Sequence, residues 1–344
     1  MTKEKLHEAM MWEKERNGIR CNLCARHCFI GKDKRGFCLV RLNKDNILYA
    51  LNYGKLVVVN VDPIEKKPFF HFQPGSKSLS IAAEGCNFRC QFCCNWEISQ
   101  NVSEQSESVR GDTYKPEDIV KMAEENGCKS IAYTYTEPTM FFEFAYNTAK
   151  LAKRSNISNV FVTNGYITEE AIKKISKYLD AAVVDVKASL DPEFYKKFMS
   201  VPDIKPIYTT LKQLKKQRIF FEITNLIVPQ IGDNIEMCRK LAEHISSNLG
   251  SDVPFHIIRF HPSYKLMELP PTPTSTLERC ISEARKMGLR YVYIGNVAGH
   301  DDENTYCHNC RELLIKRHGV VVEKINLSNN RCTNCGFSIN IVME

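Results

Sequence analysis

The amino-acid sequence predicts an α/β protein whose parallel sheet is either open or rolled into a partial (β/α) barrel. Short apolar runs alternate with stretches of helical periodicity through the middle of the chain, which is typical of parallel strands joined by helices. Cysteine-rich segments precede and follow this alternating region. We therefore expect a small Cys-rich domain over residues 1–77, a barrel-like domain over 78–300 and a four-cysteine module over 301–344.

Seven apolar runs are the candidate strands: Leu79–Ala83, Ser130–Tyr135, Val160–Thr163, Ala181–Val186, Ile219–Val228, Phe255–Phe260 and Tyr291–Ile294. The helical periods between them are Pro116–Asn126, Met140–Ser155, Thr168–Leu179, Asn234–Asn248 and Thr274–Met287. In parallel α/β folds the chemistry lies at the carboxyl ends of the strands. Polar residues that follow these runs are therefore the candidate site residues.

Before this alternation, the N-terminal segment contains two further strand candidates. The runs Ile47–Tyr53 and Lys55–Val61 meet at Tyr53-Gly54, which predicts a β-hairpin. The segment that carries the first cysteines is too poor in apolar periodicity to form a core by itself. We expect the hairpin to give the N-terminal domain its regular structure.

Composition excludes some classes of protein. The chain has 47 basic and 40 acidic residues, a net charge of +7, and this mild excess is spread along its length. No dense basic stripe interleaved with aromatic residues stands out, so nucleic acid is not an expected partner. No apolar run is long enough to cross a bilayer and the first twenty residues do not resemble a signal peptide. We expect a soluble cytoplasmic protein that does not bind a membrane.

Cysteine is abundant, with 15 residues, of which eleven fall in three clusters with short spacings. In a charged chain without an export signal, such clusters predict metal ligands rather than disulfides. The clusters are Cys21, Cys24, Cys28 and Cys38; Cys86, Cys90 and Cys93; and Cys307, Cys310, Cys332 and Cys335.

The central cluster, Cys86-x3-Cys90-x2-Cys93, directly follows the first apolar run. A structural zinc ion or a ferredoxin cluster takes four protein ligands. Three thiolates would bind a [4Fe–4S] cubane and leave one iron with an open position, which could chelate S-adenosylmethionine. The competing interpretation is a zinc knuckle completed by a distant ligand.

This motif, with Phe92 before the last cysteine, resembles the signature of the radical SAM superfamily. The stretch Gly85–Gln100, together with Asp62–Pro68 and His71-Phe72, resembles a narrower group, the AmmeMemoRadiSam-system radical SAM enzymes, which are similar to pyruvate formate-lyase activating enzymes. The resemblance implies the cubane as cofactor, S-adenosylmethionine as cosubstrate and a reducing donor such as a flavodoxin or ferredoxin.

On this resemblance, Glu137 in Thr134–Pro138 is the partner of the S-adenosylmethionine ammonium, although the glycines that relatives carry before it are absent. Asn164 lies in a Thr-Asn-Gly stretch like that of the activating enzymes, with Val162 where they have aspartate.

The resemblance also assigns residues that follow the later runs. Lys187 suits the methionyl carboxylate, and Asp185 suits a ribose or a cation, although the two side chains share a strand face and could simply pair. His261 matches a histidine near the ribose, and Gly295 and Asn296 offer backbone groups to adenine.

The flanking clusters predict further metal sites. Two Cys-x2-Cys pairs, beginning at Cys307 and at Cys332, are typical of a zinc ribbon, while rubredoxin-type iron would use the same ligands. Zinc is the preferred interpretation because a short tail cannot build a core. The set that begins at Cys21 is less regular, and it fits either zinc, which we slightly favour, or an auxiliary iron–sulfur cluster.

The sequence therefore predicts a radical SAM enzyme that reductively cleaves S-adenosylmethionine to a 5′-deoxyadenosyl radical and abstracts hydrogen from a substrate. A protein substrate, as for glycyl-radical activating enzymes, is one alternative, and a small molecule or RNA is another. A non-enzymatic alternative is an iron–sulfur electron carrier or a zinc-dependent nucleic-acid-binding protein, which would leave the strand-end polar residues without a role.

Overall fold

The computed structural model describes residues 6–103 and 109–344. Its strands are β1 His7–Glu8, β2 Trp12–Glu15, β3 Gly18–Cys21, β4 Phe29–Gly31, β5 Arg41–Lys44, β6 Ile47–Ala50, β7 Lys55–Leu56, β8 Val58–Pro63, β9 Lys77–Ala82, β10 Asp112–Thr113, β11 Ser130–Tyr133, β12 Ser158–Thr163, β13 Ala181–Lys187, β14 Phe220–Ile227, β15 Phe255–Arg259, β16 Val292–Gly295, β17 Thr305–Tyr306, β18 Leu313–His318, β19 Val321–Ile325, β20 Leu327–Ser328 and β21 Arg331–Cys332.

The α-helices are α1 Trp96–Ser99, α2 Pro116–Glu125, α3 Phe142–Ala152, α4 Glu169–Ile175, α5 Pro192–Met199, α6 Lys205–Lys216, α7 Ile235–His244 and α8 Thr274–Lys286. Short 3₁₀ turns occur at Ile64–Lys66, Pro138–Phe141, Lys153–Ser155, Ala188–Leu190 and Asp301–Glu303, and α7 ends in a π turn, Ile245–Leu249. None of the helices in the described ranges is long and apolar enough to cross a membrane.

The chain forms two compact units. The first comprises Met1–Val61, Ser78–Asp180 and Lys205–Ile219, and the second comprises Asp62–Lys77, Ala181–Ile204 and Phe220–Glu344. Each of the seven predicted apolar runs overlaps one of the strands β9, β11, β12, β13, β14, β15 or β16.

In the first unit, β11 pairs in parallel with β9 on one side and with β12 on the other. Ala132 lies opposite Ser80 and Val160 in this register, so the carboxyl ends of the three strands reach one edge. The strands are buried on both faces, which explains why each reads as a continuous apolar run. This edge is where the loop with Cys86 begins.

The N-terminal part of the first unit corrects the predicted hairpin. Strand β6 pairs antiparallel with β5, and β7 pairs with β10, so the predicted pairing of Ile47–Tyr53 with Lys55–Val61 is wrong. The hairpin turn lies instead at Asp45-Asn46, where φ is +53° and +57°. Two left-handed residues in succession form the tight turn whose twist suits a two-residue hairpin.

In the second unit, β13, β14, β15 and β16 pair in parallel in sequence order. The cysteine-rich tail forms the antiparallel strands β17–β19 and the pair β20–β21. Its buried residues share one apolar cluster with Phe70, Tyr291 and Tyr293. Within the described residues, neither unit contains a closed barrel.

Candidate functional site

The loop after β9 holds the three central cysteines. At Gly85 the backbone has φ +104°, and a Cβ there would lie 2.7 Å from Val40, so the close approach and the torsion both favour glycine. Cys86 Sγ accepts from Phe88 N (3.4 Å), and Cys93 Sγ lies 3.3 Å from Ser99 Oγ. Two of the three thiols are thus held, Cys86 by the backbone and Cys93 by α1, and all three cysteines are partly accessible.

The spacing of these sulfurs bears on the two interpretations of the motif. A zinc ion bonded to thiolates at about 2.3 Å holds the sulfurs roughly 3.8 Å apart. Among residues 6–103 and 109–344, only the four cysteines of the tail bring three or more metal-binding side chains within 4.8 Å of one another. Cys86, Cys90 and Cys93 are therefore spread more widely than a single ion requires, which fits a cubane whose irons each take one thiolate.

Glu137, at the end of β11, is buried beside this loop and is 2% exposed. Its carboxylate accepts from Thr139 N (3.1 Å), Thr139 Oγ1 (2.5 Å), Thr163 Oγ1 (2.8 Å) and Asn164 N (2.8 Å). Burial raises the pKa of Glu137, although these donors act in the opposite direction. These hydrogen bonds fix the glutamate between the ends of β11 and β12. The sequence predicted Glu137 as a site residue but not its donors Thr139 and Thr163.

Asn164, at the end of β12, joins Glu137 to the cysteine loop. Its Nδ2 donates to Asn87 Oδ1 (2.7 Å) and lies 3.9 Å from Cys86 Sγ. Burial, and secondarily the negative charge of Glu137, raise the pKa of the Cys86 thiol to about 12. A metal that replaces the thiol proton would remove this penalty. The structure thus brings together three predicted site residues, Cys86, Glu137 and Asn164.

The site residues predicted in the second unit form separate contacts. The Asp185 carboxylate pairs with Lys187 and accepts from Thr224 Oγ1 (2.6 Å), so the predicted pairing on one strand face is present. Asn296 has φ +61° and its Nδ2 donates to Arg259 O (3.1 Å), which joins the ends of β15 and β16. His261, after β15, is exposed.

The strand β14 of the second unit carries a buried polar group that sequence reasoning missed. Glu222 is fully buried and accepts from the backbone N–H groups of Phe70 and His71 and from His256 Nε2 (2.7 Å). An acidic residue inside the apolar run Ile219–Val228 was the available signal. Its several donors give it a structural role in joining the Phe70 segment to the strand.

The tail cysteines form a compact set. Cys307 Sγ lies 3.6 Å from Cys335 Sγ, and Cys310 Sγ lies 3.7 Å from Cys332 Sγ. Burial raises the pKa of Cys307 to about 12, whereas a hydrogen bond with the Asn309 side chain lowers that of Cys335 to about 6. The spacing fits four thiolates around one tetrahedral ion, either zinc or iron.

Comparison with known proteins identifies the class. The model of the radical SAM superfamily matches residues 80–245, a range that contains Cys86, Cys90, Cys93, Glu137, Asn164 and Lys187. Residues 80–245 therefore match the radical SAM superfamily, whose members use a [4Fe–4S] cluster, S-adenosylmethionine and an electron donor.

Two relatives and one solved structure are similar to this chain over different shares of its length. "Uncharacterized protein MJ0808" of Methanocaldococcus jannaschii is 45% identical over 341 residues, which is 98% of this chain and 100% of the relative. The 4-hydroxyphenylacetate decarboxylase activating enzyme of Clostridium scatologenes is 29% identical over 134 residues, 38% of this chain and 41% of that one. A radical SAM methyltransferase from Sphaerobacter thermophilus shares the fold, with a TM-score of 0.50, 12% identity and coverage of 68% of this chain and 70% of that one.

Proposed function

We propose that this protein reductively cleaves S-adenosylmethionine at a cluster held by Cys86, Cys90 and Cys93, and that the resulting 5′-deoxyadenosyl radical abstracts hydrogen from a protein substrate. One observation carries the proposal: Cys86, Glu137 and Asn164 meet in a single hydrogen-bonded group at the ends of β9, β11 and β12. When bound, the cluster supplies the electron and the open iron for cleavage.

The protein's own residues would bind and orient the cosubstrate. Glu137 is a buried carboxylate, suited to a charge-assisted contact with the S-adenosylmethionine ammonium. The roles of Lys187, Asp185, His261, Gly295 and Asn296, toward the carboxylate, ribose and adenine, come from the family resemblance. We also propose, from the same resemblance, that the protein is an AmmeMemoRadiSam-system radical SAM enzyme.

A protein substrate is favoured by the likeness to an activating enzyme. Such enzymes act on another protein, whereas the small-molecule and RNA alternatives have no supporting feature among the described residues.

The direct test is anaerobic incubation of reconstituted protein with dithionite and S-adenosylmethionine. We expect the wild type to form 5′-deoxyadenosine and methionine. A Cys94→Ala control, which removes an exposed neighbouring thiol, should form as much of both products as the wild type does. Cys90→Ala should yield neither product. Equal product from Cys90→Ala and the wild type would reject the cluster assignment.

Glu137→Gln tests the cosubstrate contact. Loss of a charge-assisted hydrogen bond should weaken S-adenosylmethionine binding by about 10-fold to 100-fold. Equilibrium dialysis against labelled cosubstrate measures this, with iron content as a check that the cluster remains. Glu303→Gln is the matched control, because Glu303 is also a buried carboxylate that accepts from two backbone N–H groups. Equal affinities for both variants would contradict the assignment.

A further inference from the structure

The four N-terminal cysteines surround a cavity in the first unit. Cys21, Cys24, Cys28 and Cys38 line it together with Arg26, Arg41 and Asn87, and apolar side chains close the rest. These cysteines do not gather their sulfurs as the tail cysteines do, since no other set of three among the described residues lies within 4.8 Å. Four thiols spread around a cavity suit an occupant larger than one ion.

Hydrogen bonds and a β-bridge anchor the loop that carries these cysteines. Cys21 N donates to Cys28 O (3.0 Å), which fixes the two ends of one loop. Cys24 forms a β-bridge with Ile167, and Thr168 Oγ1 donates to Asn22 O (2.9 Å). The cysteine loop is therefore anchored on the segment that follows Asn164.

Two buried N–H donors in the cavity wall lack partners among the described residues. They are Arg41 Nε and Asn87 Nδ2, on residues that are 1% and 0% exposed. The other nitrogens of Arg41 donate to Glu143 (2.6 and 2.7 Å), so this arginine is held rigidly. A buried donor without a partner is costly, and inorganic sulfide or thiolate sulfur in the cavity would accept from both.

The cavity shares a wall with the central cysteine loop. Asn87, which lines the cavity, directly follows Cys86, and its backbone carbonyl accepts from Arg26 Nε (2.5 Å). The Phe37 ring lies under both Arg26 and Arg89, at 3.6 and 4.4 Å from the ring centroid. Arg89 in turn donates to Cys86 O (2.8 Å). The two cysteine sets are thus adjacent through bonded and packed groups.

We infer that Cys21, Cys24, Cys28 and Cys38 hold a second [4Fe–4S] cluster, which passes single electrons to the cluster at Cys86, Cys90 and Cys93. Four thiolates saturate four irons, so this cluster has no open position for a substrate and is suited to electron transfer. An external low-potential one-electron donor reduces it, and it is reoxidised when the electron moves on. The relay role rests on the proposed function, whereas the presence of the cluster does not.

A triple variant, Cys86→Ala/Cys90→Ala/Cys93→Ala, isolates the N-terminal site in the full chain. After anaerobic reconstitution we expect about four irons and four sulfides to remain per chain, with an electron paramagnetic resonance signal after dithionite reduction. Sulfide is the decisive measurement, because a single iron in the tail would bring none. Absence of sulfide, with zinc in its place, would overturn the inference.

Proximity is tested on the same two proteins. In the reduced wild type the two paramagnetic clusters should interact, so the N-terminal signal should saturate at higher microwave power than in the triple variant. Equal saturation in both proteins would overturn the relay. Failure of the proposed function looks different, because the wild type would then contain no more iron and sulfide than the triple variant.

Discussion

The two outer cysteine sets have the same ligand chemistry but different geometry. In the tail, two similar knuckles place sulfurs 3.6 and 3.7 Å apart in pairs, with all four within 4.8 Å. In the N-terminal set the four thiols are spread around a cavity. Both sites offer four thiolates. The positions of the loops that carry the cysteines therefore decide how many metal atoms each site suits.

The two cysteine sets also differ in how their loops are anchored. Each tail knuckle is closed by its own backbone, through Arg311 N to Cys307 O (2.9 Å) and Gly336 N to Cys332 O (2.9 Å). The N-terminal loop instead depends on contacts with Ile167 and Thr168, far along the sequence. A site closed locally can contract around one ion, whereas a site anchored at a distance keeps its span.

The largest expected effect is on metal content. Cys332→Ala should remove one metal ion per chain and leave sulfide unchanged, whereas Cys38→Ala should remove about half of the sulfide together with several irons. Metal analysis by mass spectrometry with a colorimetric sulfide assay measures both, and Cys128→Ala serves as a buried-cysteine control. Identical metal losses in the first two variants would abolish the distinction between the sites.

The second effect concerns two buried arginines, Arg41 beside the N-terminal cysteines and Arg317 in the tail. Arg41 forms a two-point ion pair with Glu143, and both side chains are almost fully buried. Glu143→Leu leaves this guanidinium uncompensated and should lower the free energy of unfolding by about 3–5 kcal/mol. Arg317 lies 3.9 Å from Glu65 and also donates to Thr305 and Phe70, so Glu65→Leu should cost less.

Urea unfolding under anaerobic conditions measures both changes. The double variant Arg41→Met/Glu143→Leu should recover most of the loss, because an apolar pair replaces the buried charges. Equal losses for Glu143→Leu and Glu65→Leu would show that the tighter geometry of the first pair has no energetic consequence.

The third effect is a pH dependence in the second unit. Burial lowers the pKa of His71 to about 4 from an ordinary value of 6.5. Below pH 6.5 His71 takes up a proton in the unfolded chain but not in the folded chain. The free energy of unfolding is therefore at its full value above pH 6.5 and falls by about 3 kcal/mol as the pH approaches 4. Glu222, whose pKa is lowered chiefly by hydrogen bonding with His256 against the effect of burial, adds to the loss as its own carboxylate protonates.

Unfolding at successive pH values separates the two groups. His71→Gln should flatten the curve between pH 6.5 and about 4, while the exposed-histidine control His318→Gln should keep the wild-type slope. Arg317, His256 and Tyr293 also lie near His71, and none is altered in this comparison. A His71→Gln curve as steep as that of the wild type would reject the explanation.

The smallest effect is on reduction potential. Asn87→Ala removes an N–H donor from the N-terminal cavity, and hydrogen bonds to cluster sulfurs raise the potential, so the N-terminal signal should need a stronger reductant. Redox titration of the triple variant with and without Asn87→Ala measures the shift. Asn43→Ala, at a buried asparagine bonded to Ile30 O, is the control. An upward shift would mean that Asn87 does not donate to the cluster.

Much of the fold was predictable, because a parallel strand that is buried on both sheet faces consists of consecutive apolar residues and is visible in the sequence as an apolar run. The helices α5 and α6 were missed, because both follow β13 and precede β14 in the sequence with no strand between them to mark the change of element. The hairpin was misplaced because its turn was predicted at Tyr53-Gly54, whereas the turn at Asp45-Asn46 was overlooked. The site was partly predictable, because Glu137 and Asn164 follow strands. Asn87 and Thr139 acquire their roles only through hydrogen bonds, Asn87 with Asn164 and Thr139 with Glu137.

By itself, the sequence determined the three-thiol motif, the strand–helix alternation and the number of ligands at each outer site, since these depend on residue type and local spacing. Only the tertiary structure decided how far apart those ligands lie. Cys-x2-Cys begins both outer sets, yet the distance between sulfurs is set by which segments anchor each loop. That distance separates a site for one ion from a cavity for a cluster.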